Sequence, residues 1–215
     1  MLSKTITTLL LLFALNQLTA QFSIGVHGGV NASTTKANGQ ATAFYPDQDA
    51  RVHYFAGINT TYQLCNKWSA GLDVDYAVRG VGYQVTGNPD DNAVSNSRRK
   101  NLDFTPKVSY QLFKNLDLNF GIYCSLLLRH GVQIGNSNDW IEPFATYYSK
   151  TDFGLAPGLR YQIGRFSLLA SGQLGLKKIA SITYTSENGE EIDEVHEKNR
   201  ALQIGVGYLI CRDEE

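Results

Sequence analysis

Alternation with a period of two constrains this chain more than any other feature. From residue 22 onward, apolar side chains recur at every second position in about eight separate stretches, as strands with two different faces require. In the first, Phe22, Ile24, Val26, Gly28 and Val30 share one face and Ser23, Gly25, His27, Gly29 and Asn31 the other. The second sets Val52, Tyr54, Ala56, Ile58, Tyr62 and Leu64 against Arg51, His53, Gly57, Asn59, Thr61 and Gln63. The third sets Trp68, Ala70, Leu72, Val74, Tyr76 and Val78 against Ser69, Gly71, Asp73, Asp75 and Arg79. After Gly80 the apolar parity flips to Val81, Tyr83 and Val85, which predicts a bulge at the glycine with the strand continuing past it. Five further stretches follow, over 102–112, 116–128, 153–163, 166–176 and 202–210. Pro106 lies on the apolar face of the fourth stretch, where it lacks a ladder donor and weakens pairing. Cys124, in the fifth, reads as a small apolar residue.

The residue types decide which face meets which medium. The polar face combines many glycines with Asp73, Asp75, Arg79, Asp103, Lys107, Asp117, Arg129, Arg160 and Lys177. Small and oppositely charged groups suit a narrow lumen in which ionised groups pair. The other face is large and aliphatic, with aromatics near strand ends, as lipid contact requires. The expected fold is therefore all-β, an eight-stranded antiparallel up-and-down transmembrane β-barrel. Composition agrees, with 20 glycines, 12 tyrosines and 10 phenylalanines against one methionine and five prolines. At 215 residues the chain has room for one such domain. Its 19 basic and 20 acidic residues are interspersed and sum to -1, which excludes an electrostatic footprint for nucleic acid.

Connection lengths point the same way. Residues 65–67, 113–115 and 164–165 read as tight turns, and 33–50, 86–97, 131–150 and 185–197 as long polar loops. Short periplasmic turns and longer outer loops alternate in this manner in outer-membrane barrels. Tyr62, Trp68, Tyr110, Phe113, Tyr161, Phe166 and Tyr208 gather near the turn ends as an interfacial girdle. Eight strands enclose an interior that side chains can fill, so free diffusion through it is not implied.

The first twenty residues differ in kind. Lys4 precedes an apolar run from Ile6 to Leu15, and Ala20 stands before Gln21. This reads as a cleaved signal peptide over 1–20 ahead of a barrel domain over 21–215, the run being shorter than the roughly 20 residues of a membrane-spanning helix. Of three cysteines, Cys65 and Cys211 fall at strand ends on the same side, which leaves one bridge open to them.

Two stretches resemble a known family. LDFTPKVSYQLFKNLDLNFGIYCSLLLR, from Leu102 to Arg129, is similar to the PorT-like outer-membrane β-barrel domain in its proline-bearing strand, aromatic-Lys-Asn turn and glycine-centred return strand. DFGLAPGLRYQIGRFSLLASGQLGL, from Asp152 to Leu176, is similar in the same way. The resemblance implies a barrel in the bacterial outer membrane, surrounded by lipid and lipopolysaccharide, inserted by the barrel-assembly machinery and in some relatives assisting secretion.

The four histidines are the candidates for chemistry. His27 and His53 lie on lumen faces of adjacent strands, and His130 with Ser125 and Glu142 could be cast as a triad, though no nucleophile-elbow spacing surrounds the serine. His196 lies among Glu190, Glu191, Asp193, Glu194 and Glu197, a set without the ordered spacing of a calcium loop. These patterns favour satisfied lumen histidines and a solvated acidic loop, with no catalytic residue, cofactor or resident metal. The expected role is a non-enzymatic structural or interaction module with surface loops contacting envelope or surface partners. Two alternatives stay open: a narrow porin-like channel or transport accessory, and a soluble secreted barrel holding an apolar ligand.

Overall fold

The computed structural model describes residues 22–39, 47–84, 95–133, 139–142, 149–185 and 191–212. The expected signal peptide lies outside them, as do Glu190 and the tail beyond Arg212. Among the described residues no helix is long and apolar enough to cross a membrane.

Each alternating stretch is a strand. In chain order these are β1 (Phe22–Asn38), β2 (Asp47–Cys65), β3 (Trp68–Gln84), β4 (Ser95–Phe113), β5 (Leu116–Gln133), β6 (Thr151–Ile163), β7 (Phe166–Gly175), β8 (Ala180–Thr185) and β9 (Glu191–Arg212). All pair antiparallel, each with its chain neighbour up to β7, and β9 returns to β1 to close the ring. Closure removes the unpaired edges that a sheet in lipid could not carry.

The nine segments make eight staves. β7 pairs with Arg200–Tyr208 of β9, and β8 pairs with Glu191–Glu197 of the same strand. They are two lengths of one stave, kinked over residues 176–179. The amides of Leu176 and Lys177 both donate to the Phe153 carbonyl, at 3.0 and 3.4 Å, and the Ile179 amide resumes bonding to Glu197 at 2.9 Å. β8 falls where the alternation reading had ended a strand.

The structure corrects that reading elsewhere too. The strands run well into the expected loops, β1 to Asn38, β4 from Ser95 and β9 from Glu191. There is no bulge at Gly80, since β3 pairs with β4 without a break from Trp68 to Tyr83. The irregularity is on β2, between Ala50 and Phe55. Val81 is fully buried and the Tyr83 hydroxyl donates to Glu197 at 2.8 Å, so these residues turn inward. Gly80 has a different cause: a Cβ there would collide with the His53 ring.

The apolar face points outward, opposite to a soluble barrel. Val26, Val30, Ile58, Leu72, Phe120, Ile122, Leu155, Leu168, Ile204 and Val206 are among many large side chains left exposed around the ring. An aromatic girdle borders this band at the tight-turn end. Trp68 packs on Tyr110 at 4.8 Å between centroids and Phe166 on Tyr208 at 5.1 Å, spacings suited to aromatic pairs. Pro106 and Pro157 both sit on this outer face at gaps in a ladder, opposite β5 and β7 respectively. Without an amide hydrogen neither can bond there.

Candidate functional site

The polar side chains are inside, and the register explains how they meet. One row crosses six strands, with His27, Gly57, Asp75, Asp103, Ser125 and Asp152 as successive partners. His27 Nε2 reaches across Gly57 to the Asp75 carboxylate at 2.6 Å. A Cβ at position 57 would strike that carboxylate, so the glycine on the polar face makes room for the pair.

Asp75 and Asp103 are directly opposed, and like charges in that position repel. Arg79, four residues further along β3 on the same face, relieves this by extending through the lumen. Its guanidinium is paired with Asp103, donates from Nη1 to Ser125 Oγ at 3.0 Å and from Nε to Gln173 Oε1 at 3.1 Å. It also lies 5.6 Å from the Tyr123 ring centroid, and the Tyr123 hydroxyl donates to Asp152 at 2.8 Å. Side-chain exposure is 2% for Arg79 and 0% for Asp103. β3, β4, β5, β6 and β7 are thereby joined across the interior at mid-barrel.

Below this lock the interior is more open. Lys107 Nζ lies 2.6 Å from Asp73, and Arg160 Nη2 3.0 Å from Asp117. Asp73, Lys107 and Arg160 border a cavity of about 70 Å³ that also touches His27, Asn119 and Gln173. It adjoins a vestibule of about 500 Å³ at the tight-turn end, lined by Gln63, Lys67, Gln111, Lys114 and Arg160 among others. Above the lock, Val81, Ile179 and Val195 are buried, and Glu197 accepts hydrogen bonds from Gln48 at 2.9 Å and from Tyr83.

Two expected lumen charges lie elsewhere. Arg129 is on the outer face, 64% exposed and 2.9 Å from Glu142. The register shifts where Lys100 pairs with Arg129 but Asn101 with Leu127, so Leu128 is an extra residue that reverses the parity beyond it. Lys177, at the β7–β8 kink, donates to Thr151 Oγ1 at 2.6 Å rather than to a carboxylate. Tyr123 and Gln173 share the polar parity of the expected lumen charges and lie inside, and Asp152 and Glu197, which fall outside the alternating stretches, belong to the interior as well.

The histidine patterns do not assemble. Ser125 accepts from Arg79, Glu142 pairs with Arg129, and His130 Nε2 bonds Ser97 Oγ at 2.9 Å. Burial, and then the nearby Arg99 guanidinium, push the His130 pKa down to about 4. Glu194 binds Lys178 outside at 3.1 Å while Glu197 points inward. Among the described residues no group of three acidic, histidine or cysteine side chains could hold a metal. Cys65, Cys124 and Cys211 are free and exposed, so the bridge left open to Cys65 and Cys211 is not formed.

Residues 15–181 match the model of a family described as outer membrane protein beta-barrel domain. No curated protein matches the chain. Solved structures of similar fold include Ail, the attachment invasion locus protein of Yersinia pestis, in complex with the heparin analogue sucrose octasulfate, at 14% identity and a TM-score of 0.47 over 88% of this chain and 99% of that one. OprG from Pseudomonas aeruginosa gives 15% identity and a TM-score of 0.45 over 89% and 97%. The outer membrane protease OmpT from Escherichia coli gives 10% identity and 0.35 over 89% and 97%.

Proposed function

The chain belongs to the outer membrane protein β-barrel domain family and resides in the bacterial outer membrane, and from that premise we propose that it is a closed, non-enzymatic anchor that displays its long-loop end to surface or envelope partners. The observation that carries this reading is the Arg79–Asp103 lock. It joins strands from β3 to β7 through the lumen with both side chains almost fully buried, which leaves the vestibule blind. In this reading residues 1–20 are removed after export, residues 21–215 form the barrel, the barrel-assembly machinery inserts it, and its affinity is to the PorT-like kind, including a task in secretion.

The test is conductance in planar bilayers. Purified barrel should give no resolved current steps at moderate voltage, and Arg79→Ser should open measurable ones by emptying the lock. Steady conductance from the unaltered protein would overturn the anchor reading in favour of a narrow channel.

A further inference from the structure

Basic residues gather on the outside of the barrel where the apolar band ends. On the outer face of β4 and β5, Leu102 is partnered with Leu126, the next outward pair is Lys100 with Arg129, and beyond it Arg98 is partnered with Gly131. The column thus changes from hydrocarbon-facing to cationic within two residues, at the end of the barrel away from the tight turns. In an outer-membrane barrel that end faces the outer leaflet.

Placing two cations as direct cross-strand partners is unfavourable. Glu142 offsets only part of it, by its 2.9 Å contact with Arg129. Above them the Arg98 guanidinium lies 4.0 Å from the Trp140 ring centroid. Trp140 is held there because Ile141 and Val132 exchange backbone hydrogen bonds of 2.9 and 3.0 Å, and because Gly131 has no Cβ to press on the indole. Together Arg98, Lys100, Arg129, His130, Gly131, Trp140 and Glu142 line a cleft of about 90 Å³. Three cations and one carboxylate leave two positive charges in excess, and His130 adds none at neutral pH, given its lowered pKa.

We propose that this cleft binds the phosphate groups of an anionic glycolipid of the outer leaflet. Arginine and lysine at the membrane boundary form charge-assisted hydrogen bonds with phosphate. An indole beside them suits the same boundary. A ligand anchored in the leaflet meets the side chains at their own depth, which a soluble anion does not. The repulsion between Lys100 and Arg129 is relieved when a phosphate sits between them. The proposal rests on the outer-membrane placement and not on whether the lumen conducts.

Trp68→Phe leaves Trp140 as the sole tryptophan of the chain. This variant is reconstituted in phosphatidylcholine nanodiscs containing increasing fractions of diphosphorylated lipid A. Trp140 emission should change saturably with lipid A and not with inorganic phosphate. Lys100→Glu should weaken the response at least about tenfold, since it removes one charge-assisted contact and adds a repulsive carboxylate. The same substitution should raise the urea midpoint in discs without lipid A, because it replaces a like-charge pair with an opposite one; a merely structural lysine would not show that opposition. Arg98→Gln provides a second, gentler variant, and a heat-dependent gel shift verifies folding of each. Equal response to inorganic phosphate, or an undiminished lipid A response in both folded variants, overturns the proposal while leaving the anchor reading intact.

Discussion

Breaking the central ion pair from one side should cost far more than breaking its counterpart near the vestibule. Replacing Arg79 with Met leaves the Asp103 carboxyl fully buried beside Asp75, its direct partner in the sheet, without its cationic partner. Removing one partner of a buried pair costs about 3–5 kcal/mol. The Gln173 and Ser125 acceptors, at 3.1 and 3.0 Å, lose their donor as well. Arg160 and Asp117, by contrast, are 13% and 19% exposed and open to the vestibule. Water can replace the lost partner there, so Arg160→Met should cost only about 1 kcal/mol, close to the range of solvated pairs. Converting both halves of the central pair, Arg79→Met with Asp103→Leu, should recover most of the loss, because an apolar replacement leaves no stranded charge. Urea titration in lipid vesicles, followed by tryptophan emission and by the heat-dependent gel shift, measures all four proteins on one scale. If Arg79→Met and Arg160→Met fall within about 1 kcal/mol of each other, the mid-barrel is hydrated and the lock is not one; this would falsify the burial argument.

Two further outcomes test the faces and the upper rim. Val206 is 60% exposed on the outer face, midway along the apolar run of β9, so Val206→Arg should destabilise the inserted barrel by about 2–4 kcal/mol; a cost under about 1 kcal/mol in vesicles would mean that this face does not meet lipid. Burial, and then Arg99, hold the His130 imidazole down to about 4 in the folded barrel, against the ordinary 6.5 of a free histidine. As pH falls below 6.5 the unfolded chain takes up a proton that the folded chain refuses, so its contribution to stability is lost between pH 6.5 and 4. His130→Gln should therefore flatten the stability curve in that window relative to the unaltered barrel, and parallel curves would show that the histidine titrates freely.

The parts of this fold legible in the sequence are those where water and lipid press on opposite faces of the same strand. Period-two alternation set the face of Ile204 and Gln203 correctly because burying either on the other side would be costly. Above the band both faces are polar, the alternation fades, and the outer lengths of β1, β4 and β9 read as loops. A change of parity also has two physical causes that look alike along the chain. At Leu128 it is a real bulge, and Arg129 beyond it turns outward; at Val81 it is an apolar residue inside an unbroken strand. Only the partner strand distinguishes them, because a bulge appears as a shift in register and an inward valine does not. The ion pairs divide in the same way. Arg160 and Asp117 are register partners, and Lys107 reaches Asp73 on the adjacent strand. Arg79 instead bonds to Gln173, 94 residues away and on a strand that is not its neighbour. Its reach depends on a long side chain crossing a lumen of eight staves, a distance set by closure of the whole ring. Arg79 is thus recognisable as a lumen cation from its own strand, while the lock it makes is a property of the closed ring.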